Sequence, residues 1–510
     1  MGISIFKVDA KIQINAGNDI KLDNTNVNVQ DEAALKMDAG KDITFNKTNV
    51  SVQEGGNLTI DNVNNIVFNK TNDESDSPSL YVDDNGEATL HAKKDILFNR
   101  DQDGTFIGFG SSGTAAVTAE DGNIIFHENQ VSNSPAIKVI FGGNLQMKAQ
   151  TIKGNMQRLV EAAGNAEPEF SLKAQNIEWV AQGKEVEPVG LFDDASMVVA
   201  VDGNFVFDAD STLKLSSEIR PTLVHASNSD VTLSAGDLIY LHNAGSDYRY
   251  WSQANLWADS GNIDLTTDGT ISVDNKGSVA AQAVGWAKIN FNGNTIMPEA
   301  GIGVRSEDGG KINFNKNTVM SNVGIGAWAQ TDFPYEGEET SEMDFNGLQT
   351  IDQAENRPVA NFNNDNIVMR QADIDDWEET DDESGYEEDY KSKITFNGPM
   401  TILQAKNGAV ARLDSDIVFN DALKIKAEDN AFYTKWAGRI QSLTEGVDKV
   451  IIGNMRAHNG QIDVLFDTPD SSFTGFTELR EIKKHYFYGE EDSEGDEGTC
   501  PLNPAPGGCR

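Results

Sequence analysis

The chain has 510 residues, and its 81 Asp and Glu against 40 Lys and Arg give a formal net charge of −41 at pH 7. Binding to nucleic acid or to anionic lipid requires basic patches, so this charge balance argues against both classes of partner. A hydrophobic content of 38%, with abundant Gly, Asn, Asp and Thr, fits a narrow β-sheet core better than a helical enzyme.

The N-terminal part repeats one short strand pattern. Residues 19–22 (DIKL), 42–45 (DITF) and 65–68 (NIVF) follow one another at intervals of 23 residues. Alternation of apolar and variable residues is typical of a strand with one buried face. A fixed period of this length has room for three short strands and three turns, and it predicts one coil of a solenoid. The expected fold is therefore all-β: a parallel β-helix (β-solenoid) with loop insertions.

Phenylalanine followed directly by asparagine marks the end of many of these strands. We expect each phenylalanine to lie in an inward aromatic column. The asparagine should lie at a corner, where it accepts a left-handed backbone and its amide bonds to the asparagine of the next coil. The nine pairs begin at Phe45, Phe68, Phe98, Phe291, Phe314, Phe345, Phe362, Phe396 and Phe419.

Departures from the regular spacing predict the insertions and the domain plan. The intervals between Phe-Asn pairs are lengthened at 72–79, 331–342 and 372–390, and insertions in a solenoid form loops on a face that often binds. Residues 1–477 are expected to form a single β-helix that is irregular or decorated at 137–258. Residues 478–510 read as an acidic C-terminal extension.

Helix signals are scarce. Residues 155–163 and 432–445 are the best candidates, and both are short.

An aromatic cluster is the best candidate for binding. Trp and Tyr beside Arg are typical of interface hot spots and sugar platforms, although packing beneath a loop is the alternative explanation. The residues of the cluster are Tyr248, Arg249, Tyr250, Trp251 and Trp257.

An acidic insertion is the only candidate for a cofactor, which would be Ca²⁺ held by carboxylate oxygens. A solvated acidic loop is the alternative, because the spacing matches no EF-hand or other calcium repeat. The densest set is Asp373, Asp375, Asp376, Asp381 and Asp382.

Two cysteines, Cys500 and Cys509, lie in a Pro- and Gly-rich tail. In an oxidising compartment they can close a small disulfide loop. The alternative is two free thiols.

The Gly-Gly-Asn corners at 55–57 and 142–144, with Ile-x-Phe-Asn strands in an acidic, cysteine-poor body, resemble the passenger region of Gram-negative autotransporters. The closest local match is 453–475 (GNMRAHNGQIDVLFDTPDSSFTG). The resemblance implies a right-handed β-helix that is secreted and attached to the outer membrane as a surface adhesin or biofilm factor. A signal peptide and a translocator are expected outside this sequence, and no apolar run is long enough to span a membrane as a helix.

We therefore expect an adhesin or structural rod without catalysis, whose partner is a host or matrix protein, a glycan or another copy of itself. The alternative is a polysaccharide lyase or hydrolase, which would need carboxylates gathered from neighbouring coils. No nucleophile elbow, P-loop or His-Glu-x-x-His motif is present. The six histidines are scattered, as is typical of surface or packing residues: His91, His127, His225, His242, His458 and His485.

Overall fold

The computed structural model describes residues 3–5, 10–70, 77–101, 104–129, 134–140, 142–162, 167–181, 196–218, 222–243, 254–330, 341–347 and 349–353, and short strands between 393 and 486. Among these residues all regular structure is β, with no helix. The strands pair in parallel and stack coil upon coil, which confirms the predicted β-solenoid.

The strands are, in chain order, β1 (Ile3–Ile5), β2 (Lys11–Ala16), β3 (Ile20–Asp23), β4 (Asn26–Val29), β5 (Ala34–Ala39), β6 (Asp42–Asn46), β7 (Asn49–Val52), β8 (Asn57–Val63), β9 (Asn65–Lys70), β10 (Leu80–Val82), β11 (Glu87–Ala92), β12 (Ile96–Arg100), β13 (Ile107–Phe109), β14 (Thr114–Ala119), β15 (Asn123–Glu128), β16 (Pro135–Val139), β17 (Asn144–Gly154), β18 (Arg158–Ala162), β19 (Glu169–Ala181), β20 (Ser196–Val201), β21 (Asn204–Ser217), β22 (Thr222–Ser227), β23 (Asp230–Ala235), β24 (Leu238–Asn243), β25 (Ala254–Asp259), β26 (Asn262–Val284), β27 (Lys288–Met297), β28 (Ala300–Glu307), β29 (Lys311–Phe314), β30 (Thr318–Gln330), β31 (Glu342–Phe345), β32 (Gln349–Gln353), β33 (Lys393–Phe396), β34 (Met400–Gln404), β35 (Ala411–Leu413), β36 (Asp416–Phe419), β37 (Leu423–Lys426), β38 (Phe432–Thr434), β39 (Ile440–Ser442), β40 (Val450–Ile452), β41 (Arg456–Ala457), β42 (Val464–Phe466) and β43 (His485–Tyr486).

The chain forms two compact units. Unit 1 comprises Met1–Pro298 and Lys311–Thr318, and unit 2 comprises Glu299–Gly310 and Val319–Arg510. In unit 1 the strands of one coil belong to three ladders, of which the first begins at β1, the second at β2 and the third at β3. From β17 to β21 the second and third ladders share single strands of 11 to 14 residues.

The predicted aromatic column lies inside unit 1. Phe45, Phe68, Phe98 and Phe126 are buried and stack in sequence at ring-centroid distances of 4.7, 4.9 and 4.9 Å. Their planes lie within 9° of parallel, because in-register parallel strands repeat the same side-chain direction at each coil. Phe291 and Phe314 form a second stacked pair at 4.5 Å. In unit 2, Phe345, Phe396 and Phe419 occupy matched register positions of β31, β33 and β36.

Five of the asparagines that follow these phenylalanines form amide ladders: Asn46, Asn69, Asn99, Asn292 and Asn315. Asn69 Nδ2 donates to Asn46 Oδ1 and Asn99 Nδ2 donates to Asn69 Oδ1, both at 2.9 Å. Asn315 donates to Asn292 at 2.7 Å in the same way. None of these five asparagines has the predicted left-handed backbone, and a positive φ follows one residue later only at Lys47, where it is 48°. The asparagine stays in the strand because its amide must face the next coil, and the chain turns after it.

The described parts of both helix candidates contain strands and no helix. Residues 158–162 form β18, which pairs with β16, and residues 432–434 form β38, which pairs with β35. Leu159 and Val160 of β18 are adjacent and both are buried. Two adjacent buried apolar residues fit a strand that is covered on both faces, and they do not require one face of a helix.

The three predicted insertions fall between strands. Residues 72–79 lie between β9 and β10, and residues 331–341 lie between β30 and β31, which begins at Glu342. Residues 372–390 lie between β32 and β33. Most of these residues are outside the described part of the chain, so the side from which the loops project stays a prediction.

A half-buried carboxylate, that of Asp83, joins two coils at a corner of unit 1. Asp83 Oδ1 accepts hydrogen bonds from the Ser111 hydroxyl at 3.0 Å and from the Asp84 N–H at 2.8 Å, while Oδ2 accepts one from the Tyr81 hydroxyl at 2.9 Å. The Ser111 N–H also donates to Oδ1. Burial acts to raise the pKa of Asp83, but the hydrogen bonds outweigh it and hold the pKa below its usual value. Burial, followed by the bond to Asp83, raises the pKa of Tyr81 to about 12.

We expect Asp83→Asn to weaken unit 1 mainly at neutral pH. A carboxyl whose pKa is lower folded than unfolded, where it is about 3.9, stabilises above that pH and loses this effect as pH falls through the folded pKa. Urea midpoints of wild type and variant should therefore converge on acidification. Tyr81→Phe removes one hydrogen bond and should show a smaller gap. A gap that is equally wide in acid would assign the effect to packing and not to the charge.

Candidate binding surface

Of the five residues in the predicted aromatic cluster, the structure describes only Trp257. Tyr248, Arg249, Tyr250 and Trp251 lie outside the described residues. Trp257 lies on β25, where it is 9% exposed, and its ring stacks on His225 at 4.1 Å with an angle of 7° between the planes. This position fits packing against the scaffold, because little of the ring surface is accessible to a ligand.

The outward column that contains Trp257 is covered over several coils. Val199, His225, Trp257 and Gln282 are register partners on the first ladder, and all four are buried. Inward neighbours such as Val224 are buried as well. Strands β20, β22 and β25 thus have both faces covered, which identifies this part of the first ladder as core and not as an open face.

The candidate metal ligands Asp373, Asp375, Asp376, Asp381 and Asp382 also lie outside the described residues, and so do Cys500 and Cys509. Within the described part of the chain, no three His, Cys, Asp or Glu side chains are grouped so that they could hold a metal ion. The same part contains no helix long and apolar enough to cross a membrane.

Carboxylates on the outer surface of unit 1 are tied to amides of neighbouring coils. Asn65 Nδ2 donates to Asp42 at 2.8 Å, and Asn123 Nδ2 donates to Asp95 at 3.0 Å. The same arrangement recurs at Asn262 with Asp230 and at Asn290 with Asp264, both at 2.6 Å. These acids therefore act as acceptors in a polar ladder, a role that holds adjacent coils in register.

One set of residues resembles part of a nucleophilic triad. Ser216, His242 and Asp274 are register partners on three successive coils, and His242 Nδ1 lies 2.7 Å from Asp274 Oδ1. Ser216, however, is only 7% exposed. A serine nucleophile must be reached by its substrate and hydrogen-bonded to the histidine. Because Ser216 is covered, we assign the His242–Asp274 pair to the polar ladders.

The most exposed large apolar side chain in the described residues is Trp286, at 65%. The other described tryptophans, Trp179, Trp257 and Trp328, are buried. Trp286 lies at the corner between β26 and β27. Three residues, 285–287, form this corner, whereas the two preceding corners of the same ladders contain two each, 228–229 and 260–261. Trp286 is thus presented by a one-residue extension of the turn.

Backbone hydrogen bonds fix this corner. The Ala287 and Ser260 N–H groups donate to Val284 O at 3.4 and 3.3 Å, and the Lys288 N–H donates to Gly261 O at 3.0 Å. Gly285 adopts the left-handed φ of 64° that the turn requires. An indole held on a rigid corner loses little conformational entropy when it binds, which is a property of interface anchors.

Sequence reasoning missed the exposure of Trp286 because its neighbours (VGWAKI) are small and apolar and suggest packing. The sequence does contain one signal of this exposure: the corner at 285–287 is one residue longer than the corresponding corners of the two preceding coils.

No family model, no curated protein and no solved structure matches this chain.

Proposed function

We propose that this protein is an extracellular or cell-surface adhesin of the autotransporter passenger type, which binds a host or matrix component through residues fixed on a β-solenoid. The exposed indole of Trp286 carries the proposal. Its side chain is 65% exposed, and tryptophan is one of the residue types most enriched among interface residues that contribute most to binding.

The chemistry of the surrounding surface supports a binding role. Ser260, Asn262 and Lys288 lie on the same corner and the adjoining strand ends, and Asn262 and Lys288 are register partners. Polar and basic groups around one aromatic ring are suited to a sugar or a polar protein surface, since the ring covers an apolar face while the neighbours supply hydrogen bonds.

The test is attachment by Trp286→Ala. We expect binding to matrix-coated or glycan-coated surfaces to fall by about tenfold or more, the size typical of an aromatic anchor. Thermal unfolding should be nearly unchanged, because the side chain makes few contacts to lose. Ile296→Ala is the matched control, since Ile296 is 39% exposed on the adjoining strand β27. Attachment equal to wild type by a folded Trp286→Ala protein would remove this corner from the proposal.

Polysaccharide cleavage is the competing proposal. It predicts new reducing ends or unsaturated products when the protein is incubated with polysaccharides. Their detection would replace the adhesin function by that of a lyase or hydrolase.

A further inference from the structure

The side chains around the corner at 285–287 define the chemistry of its ligand. Trp286 and Lys288 are both exposed, and Ala287 between them is buried. This exposed–buried–exposed pattern is that of an extended chain, in which residues two apart lie on the same side at about 6.6 Å. The indole and the ammonium group therefore lie side by side on the outer surface of unit 1, to which both residues belong.

The charge of Lys288 is not used within the protein. Its ammonium group has no ion-pair or hydrogen-bond partner in the described part of the chain. Several other outward lysines of unit 1 are paired, as Lys173 is with Asp208 at 2.8 Å. An exposed ammonium group without a partner, next to an exposed indole, is available to an anionic group of a ligand.

The preceding coil adds polar groups to the same corner. Asn262 is the register partner of Lys288, and its Nδ2 donates to Asp230 Oδ1 at 2.6 Å, which leaves the amide oxygen of Asn262 to accept a hydrogen bond from a ligand hydroxyl. The Ser260 hydroxyl is exposed and lies 3.5 Å from Asp259 Oδ1. Since both carboxylates belong to preceding coils, that side of the corner suits hydroxyl groups, and an anionic group is favoured on the side of Lys288.

We infer that this corner binds an acidic sugar, a carboxylate-bearing unit of a glycan. The inference rests on the proposed attachment function and specifies its ligand class. The indole of Trp286 covers the apolar face of the sugar ring, Lys288 holds the carboxylate, and Asn262 accepts a hydroxyl.

Other ligand chemistries fit this corner less well. A cation placed over the indole would be repelled by the ammonium group of Lys288. An acidic peptide would satisfy Lys288 but has no flat apolar face to cover the indole. A densely charged polyanion would be repelled by a chain of net charge −41. A glycan in which acidic and neutral units alternate meets both the local positive charge and the overall negative charge.

The experiment compares oligosaccharides of hyaluronate and of unsulfated chondroitin, in which every second unit is acidic, with the same oligosaccharides after their carboxylates are reduced to alcohols. We expect wild type to bind at least one acidic form and to lose about tenfold or more in affinity upon reduction. Added salt should weaken binding of the acidic form and leave that of the reduced form unchanged.

Variants at two lysines assign this preference to the corner. Lys288→Ala should bind the acidic and reduced forms equally, and Lys288→Arg, which keeps the charge, should still prefer the acidic form. Lys148→Ala is the matched control, because it removes the same charge from an exposed position of β17 in unit 1. It should bind as wild type does.

Four results would overturn the inference: no binding of either acidic oligosaccharide, equal wild-type affinity for acidic and reduced forms, a preference retained by Lys288→Ala, or equally tight binding of oligoglutamate. Trp286→Ala tests the proposed function separately. If it loses attachment while wild type binds acidic and reduced sugars equally, the corner binds a partner and only the acidic sugar is wrong. If a folded Trp286→Ala protein attaches as wild type does, the proposed function itself fails.

Discussion

Phe68→Ala should lower the free energy of unfolding of unit 1 by about 3–5 kcal/mol, the usual cost of truncating a fully buried phenylalanine. The ring is 1% exposed and lies between those of Phe45 and Phe98, at 4.7 and 4.9 Å. Removal therefore leaves a cavity between two rings that belong to different coils. Those coils cannot close on each other, because their spacing is set by the hydrogen bonds of the ladders.

Urea unfolding followed by circular dichroism measures the loss, and hydrogen exchange locates it in the neighbouring coils. Val67→Thr is the matched control, since residue 67 is the preceding position on the same strand and its register partner in the previous coil is Thr44. The control should unfold close to wild type. If the alanine variant also unfolded at the wild-type midpoint, the aromatic column would contribute little to stability, contrary to its burial.

The local period was sufficient to predict the fold. One coil alone cannot bury its inward apolar side chains, so successive coils must stack on one another. A repeat of 23 residues leaves few arrangements other than stacked parallel strands, and in the structure Phe45 and Phe68 are register partners. The amide ladder through Asn46 and Asn69 follows from the same register. The predictions for residues 155–163 failed because a strand covered on both faces has no alternation, and its sequence resembles a short helix.

The candidate surfaces were harder to predict, because they depend on which residues of distant coils share a register. His225 and Trp257 are brought together only by the pairing of β22 with β25. Arg305 and Trp328 meet only through the pairing of β28 with β30. The length of each coil sets these partners, and coil length varies wherever an insertion occurs. Aromatic residues that are close in sequence, such as those at 248–251, can be recognised from the sequence. Residues that line up on successive coils can be recognised only when the strand register is known.

A large packing effect of a small substitution is expected at Gly154. This glycine replaces the next phenylalanine of the aromatic column, since it is the register partner of Phe126 on one side and of Trp179 on the other. Trp179 fills the space left by the missing side chain and lies 5.8 Å from Phe126 between ring centroids. A Cβ on residue 154 would lie 2.3 Å from the Cη2 atom of Trp179.

Gly154→Ala should therefore destabilise unit 1 by about 1–3 kcal/mol through overpacking. Trp179→Phe alone should also destabilise it, because it opens a cavity and removes the hydrogen bond from Nε1 to Met156 O at 2.8 Å. The double variant is the decisive measurement. Phenylalanine lacks the outer ring atoms that meet the new methyl group, so the combined loss should be smaller than the sum of the two single losses. Strict additivity in urea unfolding would mean that Trp179 does not occupy the space above Gly154 in solution.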